Sequence, residues 1–224
     1  MANPSRRSFL WALAGAGVSA IARTAPAAAQ TRPTPDPLQT LPPNLPVPTD
    51  DGACKHLPGL AVPSLKLRST KDRWVDLSAL SGSRIVVYCY PRTGRPGQVS
   101  PPGWDAIPGA RGCTPETCGF RDHHQDLQKL GAEVFGLSTQ TTDYQKEMVA
   151  RLSVPFEVLS DVDLEFAHAL RLPTFEVAGM TLIKRLTLVI SRQHIEKVFY
   201  PVFPPDAHAT EVIAWLRGHR EPGK

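Results

Sequence analysis

The sequence predicts an α/β domain in which a central mixed β-sheet is flanked by helices. Two observations lead to this prediction. Short runs of β-branched and aromatic residues alternate along the chain with stretches that have helical apolar spacing. Near the end, two strand-like runs follow each other directly, and one more helical stretch comes after them. Such alternation favours parallel strands beneath helices, and the late pair of strands adds an antiparallel hairpin.

The strand predictions rest on runs of β-branched and aromatic residues. The strongest run covers 84–90, where such residues are nearly continuous, as is typical of a buried central strand. A polar turn at 191–193 predicts the hairpin between the last two strands. The other predicted strands cover 61–68, 74–76, 133–137, 156–159, 184–190 and 194–200.

Four helices are predicted from apolar residues that recur with helical spacing, at 114–130, 142–152, 163–170 and 207–217. Gly131 is a suitable C-cap for the first helix, and Thr141, Thr142 or Asp143 can cap the start of the second. The resulting order of strands and helices fits a thioredoxin-like fold. In such sheets functional residues gather at the carboxyl ends of central strands, which here is the position after Tyr90.

The composition excludes several classes of protein. Hydrophobic residues make up 42% of the 224 residues, enough for a packed core. The longest apolar-biased run, 9–21, is shorter than the roughly 20 residues that span a membrane. Four cysteines in a chain of this length do not make a disulfide-stapled miniprotein. Three of the four net positive charges lie within 1–29, so no basic surface for nucleic acid is expected.

Residues 1–29 are predicted to be an export signal that is removed. Ser-Arg-Arg-Ser-Phe-Leu at 5–10 opens an Ala-, Gly- and Leu-rich stretch, and Ala-Ala-Ala at 27–29 offers small residues for cleavage. The paired arginines resemble a twin-arginine signal. The alternative is a general secretory signal with two arginines near its start. We therefore expect a periplasmic protein with no membrane anchor in its mature form.

Residues 30–50 are predicted to form a Pro-rich linker, and 51–224 a single domain. The linker contains seven prolines. Proline fixes φ and donates no backbone hydrogen bond, so an extended tether is expected here rather than part of the core.

The candidate reactive residue stands at the end of a long loop. Loop 91–112 has five prolines and five glycines, and a loop of this length inside a domain is usually functional. Cys113 follows it and would begin the first helix. There the unpaired N–H groups and the positive end of the helix dipole stabilise a thiolate. We therefore expect a lowered pKa for Cys113 and a reactive nucleophile.

The spacing of Cys113 and Cys118 suggests two separate reaction steps. Five residues of intact α-helix place the two Cα atoms about 8.7 Å apart. A disulfide tolerates at most about 7 Å, so the two thiols cannot bond while the helix is formed. The first turn or two would have to unwind, which Pro115 and Gly119 make easier.

Several motifs together resemble the peroxiredoxin Q, or bacterioferritin-comigratory, branch of the thioredoxin-fold peroxidases. The most specific is Gly-Cys-Thr-Pro-Glu-Thr-Cys-Gly-Phe-Arg-Asp at 112–122. It is accompanied in order by Val-Val-Tyr-Cys-Tyr-Pro at 86–91, Val-Phe-Gly-Leu-Ser at 134–138, Leu-Ser-Asp at 159–161 and Arg-Leu-Thr-Leu-Val-Ile at 185–190. The resemblance covers about 56–217.

The resemblance implies a peroxidase that reduces hydrogen peroxide and organic hydroperoxides. Cys113 would be the peroxidatic cysteine and Cys118 the resolving cysteine. Arg185 would hold the thiolate and polarise the peroxide, while Pro91 would shield the site. The expected reductant is thioredoxin-like or another thiol. No metal, flavin or nucleotide cofactor is implied, and a monomer or weak dimer is expected.

One position departs from the family pattern. The family has a threonine three residues before the reactive cysteine, where this chain has Ala110. The chain also carries an insertion of about fifteen residues in loop 91–112, which includes Trp104 and Pro108. Thr93 could fold back to supply the missing hydroxyl. Part of the loop could form a lid or a partner surface.

Two rival functions remain open from the residues alone. A thiol–disulfide oxidoreductase is disfavoured because such enzymes keep both thiols within reach in a C-x-x-C motif. A copper-binding module would use two cysteines and a distant histidine such as His194. Of the other cysteines, Cys89 is expected in the core, and Cys54 could pair with it after export or remain reduced.

Overall fold

The structure is a computed structural model and describes residues 38–219. The predicted signal at 1–29 lies outside the described residues. The strands are β1 (Lys66–Ser69), β2 (Trp74–Asp76), β3 (Arg84–Cys89), β4 (Ala132–Ser138), β5 (Glu157–Ser160), β6 (Thr174–Val177), β7 (Met180–Ile183), β8 (Leu186–Ser191) and β9 (His194–Phe199). The helices are α1 (Cys113–Asp122), α2 (His124–Lys129), α3 (Thr142–Leu152), α4 (Glu165–Leu170) and α5 (His208–Gly218). Within 38–219, none of these helices combines the length and apolar character that crossing a bilayer requires.

Seven strands form one mixed sheet in the order β2-β1-β5-β4-β3-β8-β9. β3, β4 and β5 are parallel, whereas β8 pairs with β3 and β9 in antiparallel fashion. All six residues of β3 are buried, as the run at 84–90 predicts. Because successive side chains point to opposite faces, Val87 and Cys89 enter one apolar core while Val86 and Tyr88 enter the other. The prediction of a mixed sheet covered on both faces is confirmed.

The first predicted helix is in fact two helices. α1 ends at Asp122, and α2 begins at His124 after a residue with φ −98° and ψ 8°. The apolar spacing over 114–130 continues across this break, because Phe120 and Leu127 still face the same core. The second predicted helix, 142–152, has the observed bounds, and the hydroxyl of Thr141 caps it by accepting from the Tyr144 N–H.

The structure differs from the strand predictions in two places. The strand expected at 61–68 is reduced to β1, because the stretch that includes Pro63 contributes only one isolated bridge, between Ala61 and His194. The hairpin of β6 and β7 was not predicted. Its strands are mostly half-exposed, and the turn between them has positive φ at Ala178 and Gly179. Short, partly exposed strands give little of the apolar alternation that strand prediction requires.

Residues 38–50, which we call the strap, contain neither helix nor strand and lie against loop 91–112. A Cβ atom built on Gly94 would lie 2.9 Å from Leu38 Cδ2. A Cβ atom built in the same way on Gly112 would lie 2.9 Å from Leu41 Cδ2, and one built on Gly109 would lie 3.7 Å from Pro48 Cβ. The strap packs on the domain and contains turns at 38–39 and 43–44, whereas the sequence predicts an extended tether. The boundary between linker and domain at 50 and 51 stays a prediction.

Candidate active site

Gly112 places Cys113 at the first position of α1. Its φ is +105°, a conformation that favours glycine, and a Cβ atom here would clash with the ring of Pro205. The chain can therefore turn sharply from loop 91–112 into the helix. Cys113 is 3% exposed, beside the carboxyl end of β3, where the sequence predicts the reactive thiol.

Arg185 reaches the same point from the position just before β8, the strand next to β3. Leu186 is paired with Cys89, so Arg185 stands level with the end of β3. Its Nη2 donates to the Cys113 sulfur at 3.2 Å. The same nitrogen donates to the carbonyls of Ala110 and Arg111 at 3.2 and 3.1 Å, and Nε donates to Gly109 at 3.2 Å. One guanidinium therefore fixes both the thiol and the end of the loop.

Glu116 is a site residue that the sequence analysis missed. Its carboxylate is fully buried and forms an ion pair with Arg185, whose Nη1 donates to Oε2. The other oxygen, Oε1, is buried with no hydrogen-bond partner among residues 38–219. Glu116 lies three residues after Cys113, a spacing that places two helical side chains on one face. That spacing was the available signal.

Burial raises the pKa of the Cys113 thiol, which corrects the lowered pKa expected from its position at the helix start. The Arg185 charge, its hydrogen bond and the Arg92 backbone N–H all lower the pKa, while the Glu116 carboxylate raises it. Desolvation is the largest of these effects because Cys113 is buried. Arg185 thus determines how much of the burial penalty is offset.

Cys118 lies on the same unbroken helix as Cys113, and its side chain is only half-buried. All four cysteines lie within the described residues, and all are reduced. Since α1 is helical from Cys113 to Asp122, the expectation that the two thiols stay apart in the folded helix holds for this conformation. Their catalytic roles remain a prediction.

The hydroxyl expected from Thr93 is directed elsewhere. Thr93 is buried, and its Oγ1 donates to Gln140 Oε1 at 3.1 Å, to which its backbone N–H also donates at 2.9 Å. The position of the family threonine is occupied by Ala110, whose carbonyl accepts from the Cys113 thiol at 3.6 Å. Thr114 lines the pocket at Cys113 and is the nearest hydroxyl in sequence.

The other cysteines lie in the opposite core. Cys89 is fully buried, as predicted, and Cys54 is 5% exposed in the same apolar cluster. Burial raises the pKa of Cys54 to about 12 and that of Cys89 well above its usual value. His194, the histidine of the copper hypothesis, lies in β9 with its Nδ1 2.9 Å from the Arg192 carbonyl. Within 38–219, no three His, Cys, Asp or Glu side chains cluster closely enough to hold a metal ion.

A family model described as Redoxin matches residues 57–213, which contain Cys113, Glu116 and Arg185. The chain belongs to the redoxin family. This match lies within the range over which the motifs resemble peroxiredoxin Q. The strap, by contrast, lies before the matched region of this redoxin.

Curated relatives and a solved structure agree with that assignment. The redoxin is 31% identical to "Peroxiredoxin Q, chloroplastic" from Oryza sativa subsp. japonica. The aligned 160 residues cover 71% of this chain and 66% of the rice protein. It is 26% identical to "Putative peroxiredoxin bcp" from Coxiella burnetii, over 70% of this chain and 97% of that protein. Peroxidoxin BcpB from Mycobacterium tuberculosis superposes with a TM-score of 0.61 at 26% identity, over 74% of this chain and 100% of that chain. The predicted thioredoxin-like fold is confirmed.

Proposed function

We propose that the protein is a thiol-dependent peroxidase that reduces hydroperoxides through Cys113. The observation that supports this most directly is the 3.2 Å contact between Arg185 Nη2 and the Cys113 sulfur. A guanidinium in contact with a buried sulfur favours its thiolate form, the form that acts as a nucleophile. The named relatives are peroxiredoxins, which agrees with this chemistry.

The reaction begins with attack of the Cys113 thiolate on the terminal oxygen of a hydroperoxide. An S–O bond forms and the O–O bond breaks, so the sulfur is oxidised and water or an alcohol leaves after taking up a proton. Arg185 lies where it can stabilise both the thiolate and the negative charge that develops on the leaving oxygen. The product on the protein is a sulfenic acid.

The second step joins Cys113 to Cys118. The Cys118 thiol attacks the sulfenic sulfur, forms a disulfide and releases water. Because α1 holds the two residues apart, its first turns must unwind before this bond forms. An external dithiol, thioredoxin-like or another thiol reductant, then reduces the disulfide by thiol exchange.

Mass spectrometry of the reduced protein after one equivalent of peroxide tests this function. The parent protein is expected to lose two hydrogens on the peptide that holds both α1 cysteines. Cys118→Ser should stop at a sulfenic acid on Cys113, and Cys113→Ser should leave the peroxide unconsumed. If Cys113→Ser consumes peroxide at the parent rate, the function is wrong.

We further propose export to the periplasm by the twin-arginine route. The support is the paired arginines at 5–10 and the small residues at 27–29. Replacing Arg6 and Arg7 together by lysine should retain the protein in the cytoplasm, as measured by cell fractionation. Export that continues unchanged in this double variant would favour the general secretory route instead.

A further inference from the structure

The pocket at Cys113 is very small. Its volume is about 30 Å³, and its lining includes Cys113, Arg92, Gln98, Trp104 and, from the strap, Leu38. A water-sized group needs roughly 10–15 Å³ of such space, so the pocket holds about two of them. Hydrogen peroxide has two oxygen atoms and fits. A phenyl ring exceeds this volume, so the ring of an aromatic hydroperoxide must lie outside it or displace a wall.

One wall of the pocket belongs to loop 91–112, which is fixed on two sides. The Trp104 ring packs against the hairpin of β6 and β7, with its centroid 6.3 Å from that of Phe175. On the other side the Arg95 guanidinium lies over the Tyr144 ring of α3, 4.1 Å from its centroid. The loop is therefore anchored at Arg95 and at Trp104, while Gln98, Val99 and Ser100, which line the pocket between these anchors, are exposed.

The other wall is Leu38 of the strap. Leu38 is half-buried, lies in van der Waals range of Gly94 and comes from a segment without helix or strand. The strap precedes the region that the family model matches, so this wall is an addition to the redoxin domain. Gly94 has no side chain to hold Leu38 away, and the leucine can therefore cover the entrance.

We propose that the strap makes this site selective for hydrogen peroxide over bulky organic hydroperoxides, and that Leu38 is the residue that sets the limit. The proposal rests on the proposed peroxidase function and narrows its substrate class. Leu38 acts by excluding volume: a bulky alkyl group at the Cys113 sulfur would occupy the space that its isobutyl group fills. Small differences in the size of a pocket translate into roughly tenfold or greater differences in rate between substrates.

Single-turnover kinetics tests the proposal without any reductant. The reduced protein is mixed with hydrogen peroxide or with cumene hydroperoxide, and oxidation of Cys113 is followed by the change in tryptophan fluorescence and verified by mass spectrometry. The parent should react faster with hydrogen peroxide. In Leu38→Ala, the ratio of the cumene hydroperoxide rate constant to the hydrogen peroxide rate constant should rise about tenfold. Leu45→Ala is the matched control, since it makes the same truncation in the strap at a residue that does not line the pocket, and its ratio should equal that of the parent.

The outcomes separate this inference from the function on which it rests. If both peroxides oxidise the parent protein equally fast, the peroxidase function stands and the proposed selectivity is wrong. A ratio in Leu38→Ala equal to that in Leu45→Ala overturns the role of Leu38. A Cys113 that reacts with neither peroxide overturns the proposed function itself, and the selectivity with it.

Discussion

Cys113 and Cys89 are both buried thiols, and the two sites differ in what surrounds the sulfur. Cys89 lies at the end of β3 in an apolar core, and the charges that act on it, those of Asp161 and Glu116, are negative. Cys113 lies at the start of α1 in contact with the Arg185 guanidinium. Burial raises the pKa of both thiols, and only at Cys113 does a positive charge in contact oppose it.

The difference shows that burial and reactivity are separate properties of a cysteine. An apolar environment penalises the thiolate at both sites. At Cys113 the penalty is opposed by Arg185, by the Arg92 backbone N–H and by the first turn of a helix. The fold therefore creates the reactive site by placing a guanidinium beside the sulfur. Single substitutions can remove or alter that compensation.

Arg185→Met is expected to have the largest effect. It removes the guanidinium that contacts the Cys113 sulfur and so makes the surroundings of this sulfur resemble those of Cys89. The second-order rate of Cys113 oxidation by hydrogen peroxide should fall by about 10²–10³-fold, the usual loss when a preorganised donor is removed. Stopped-flow measurement on the reduced protein gives this rate directly.

The control for Arg185→Met is Arg84→Met. Arg84 is also a buried arginine in an ion pair, with Glu196, but it lies at the opposite end of β3. Its replacement should cost stability and leave the oxidation rate near that of the parent. Equal rates in Arg185→Met and the parent protein would mean that the contact between guanidinium and sulfur is not what activates Cys113.

The sequence predicts the reactive cysteine better than it predicts the charged groups that act on its thiolate. Cys113 is found from a local pattern, since it follows a loop and begins a helix. Arg185, just ahead of β8, is found through the family resemblance, because an arginine at this place could equally be a surface charge. Glu116 is found in neither way, because an acidic residue in the first turn of a helix is normally exposed and interacts with the helix dipole. Whether it is buried depends on Arg185, which lies far along the chain.

The direction of the Cys113 pKa shift is wrong in the sequence analysis for the same reason. The position at the helix start can be predicted, whereas the burial of the Cys113 sulfur depends on contacts between distant segments. The strap gives no periodic signal, since a Pro-rich segment without helix or strand has no regular apolar face. Its packing against glycines of loop 91–112 follows from the three-dimensional structure alone.

Glu116→Gln is expected to have an intermediate effect. It should make Cys113 more reactive, whereas Arg185→Met makes it less reactive. The Glu116 carboxylate raises the pKa of Cys113, so replacing it by a neutral amide lowers that pKa. Peroxide reacts with the thiolate, and the rate rises with pH through the thiol pKa. The rise should therefore occur at lower pH in the variant, and its rate near neutral pH should be a few-fold higher.

The pH profile of Cys113 oxidation checks this prediction, together with thiolate absorbance as a function of pH. Glu165→Gln is the control, because it neutralises an exposed carboxylate of α4 away from the site. The pH profile of Cys113 oxidation in Glu165→Gln should match that of the parent protein. A Glu116→Gln profile displaced to higher pH would mean that Glu116 acts mainly by holding Arg185 in place, and that the direct effect of its charge is the smaller one.

Cys89→Ala is expected to have the smallest effect, and on stability alone. Removing one fully buried sulfur from a close-packed core costs about 1 kcal/mol of unfolding free energy, measured by urea denaturation. Peroxide oxidation of Cys113 should proceed at the parent rate, since Cys89 belongs to the core on the other face of the sheet. A slower reaction in this variant would show that the two thiols are not independent. Cys89, a buried thiol without a neighbouring cation, would then contribute to the oxidation of Cys113.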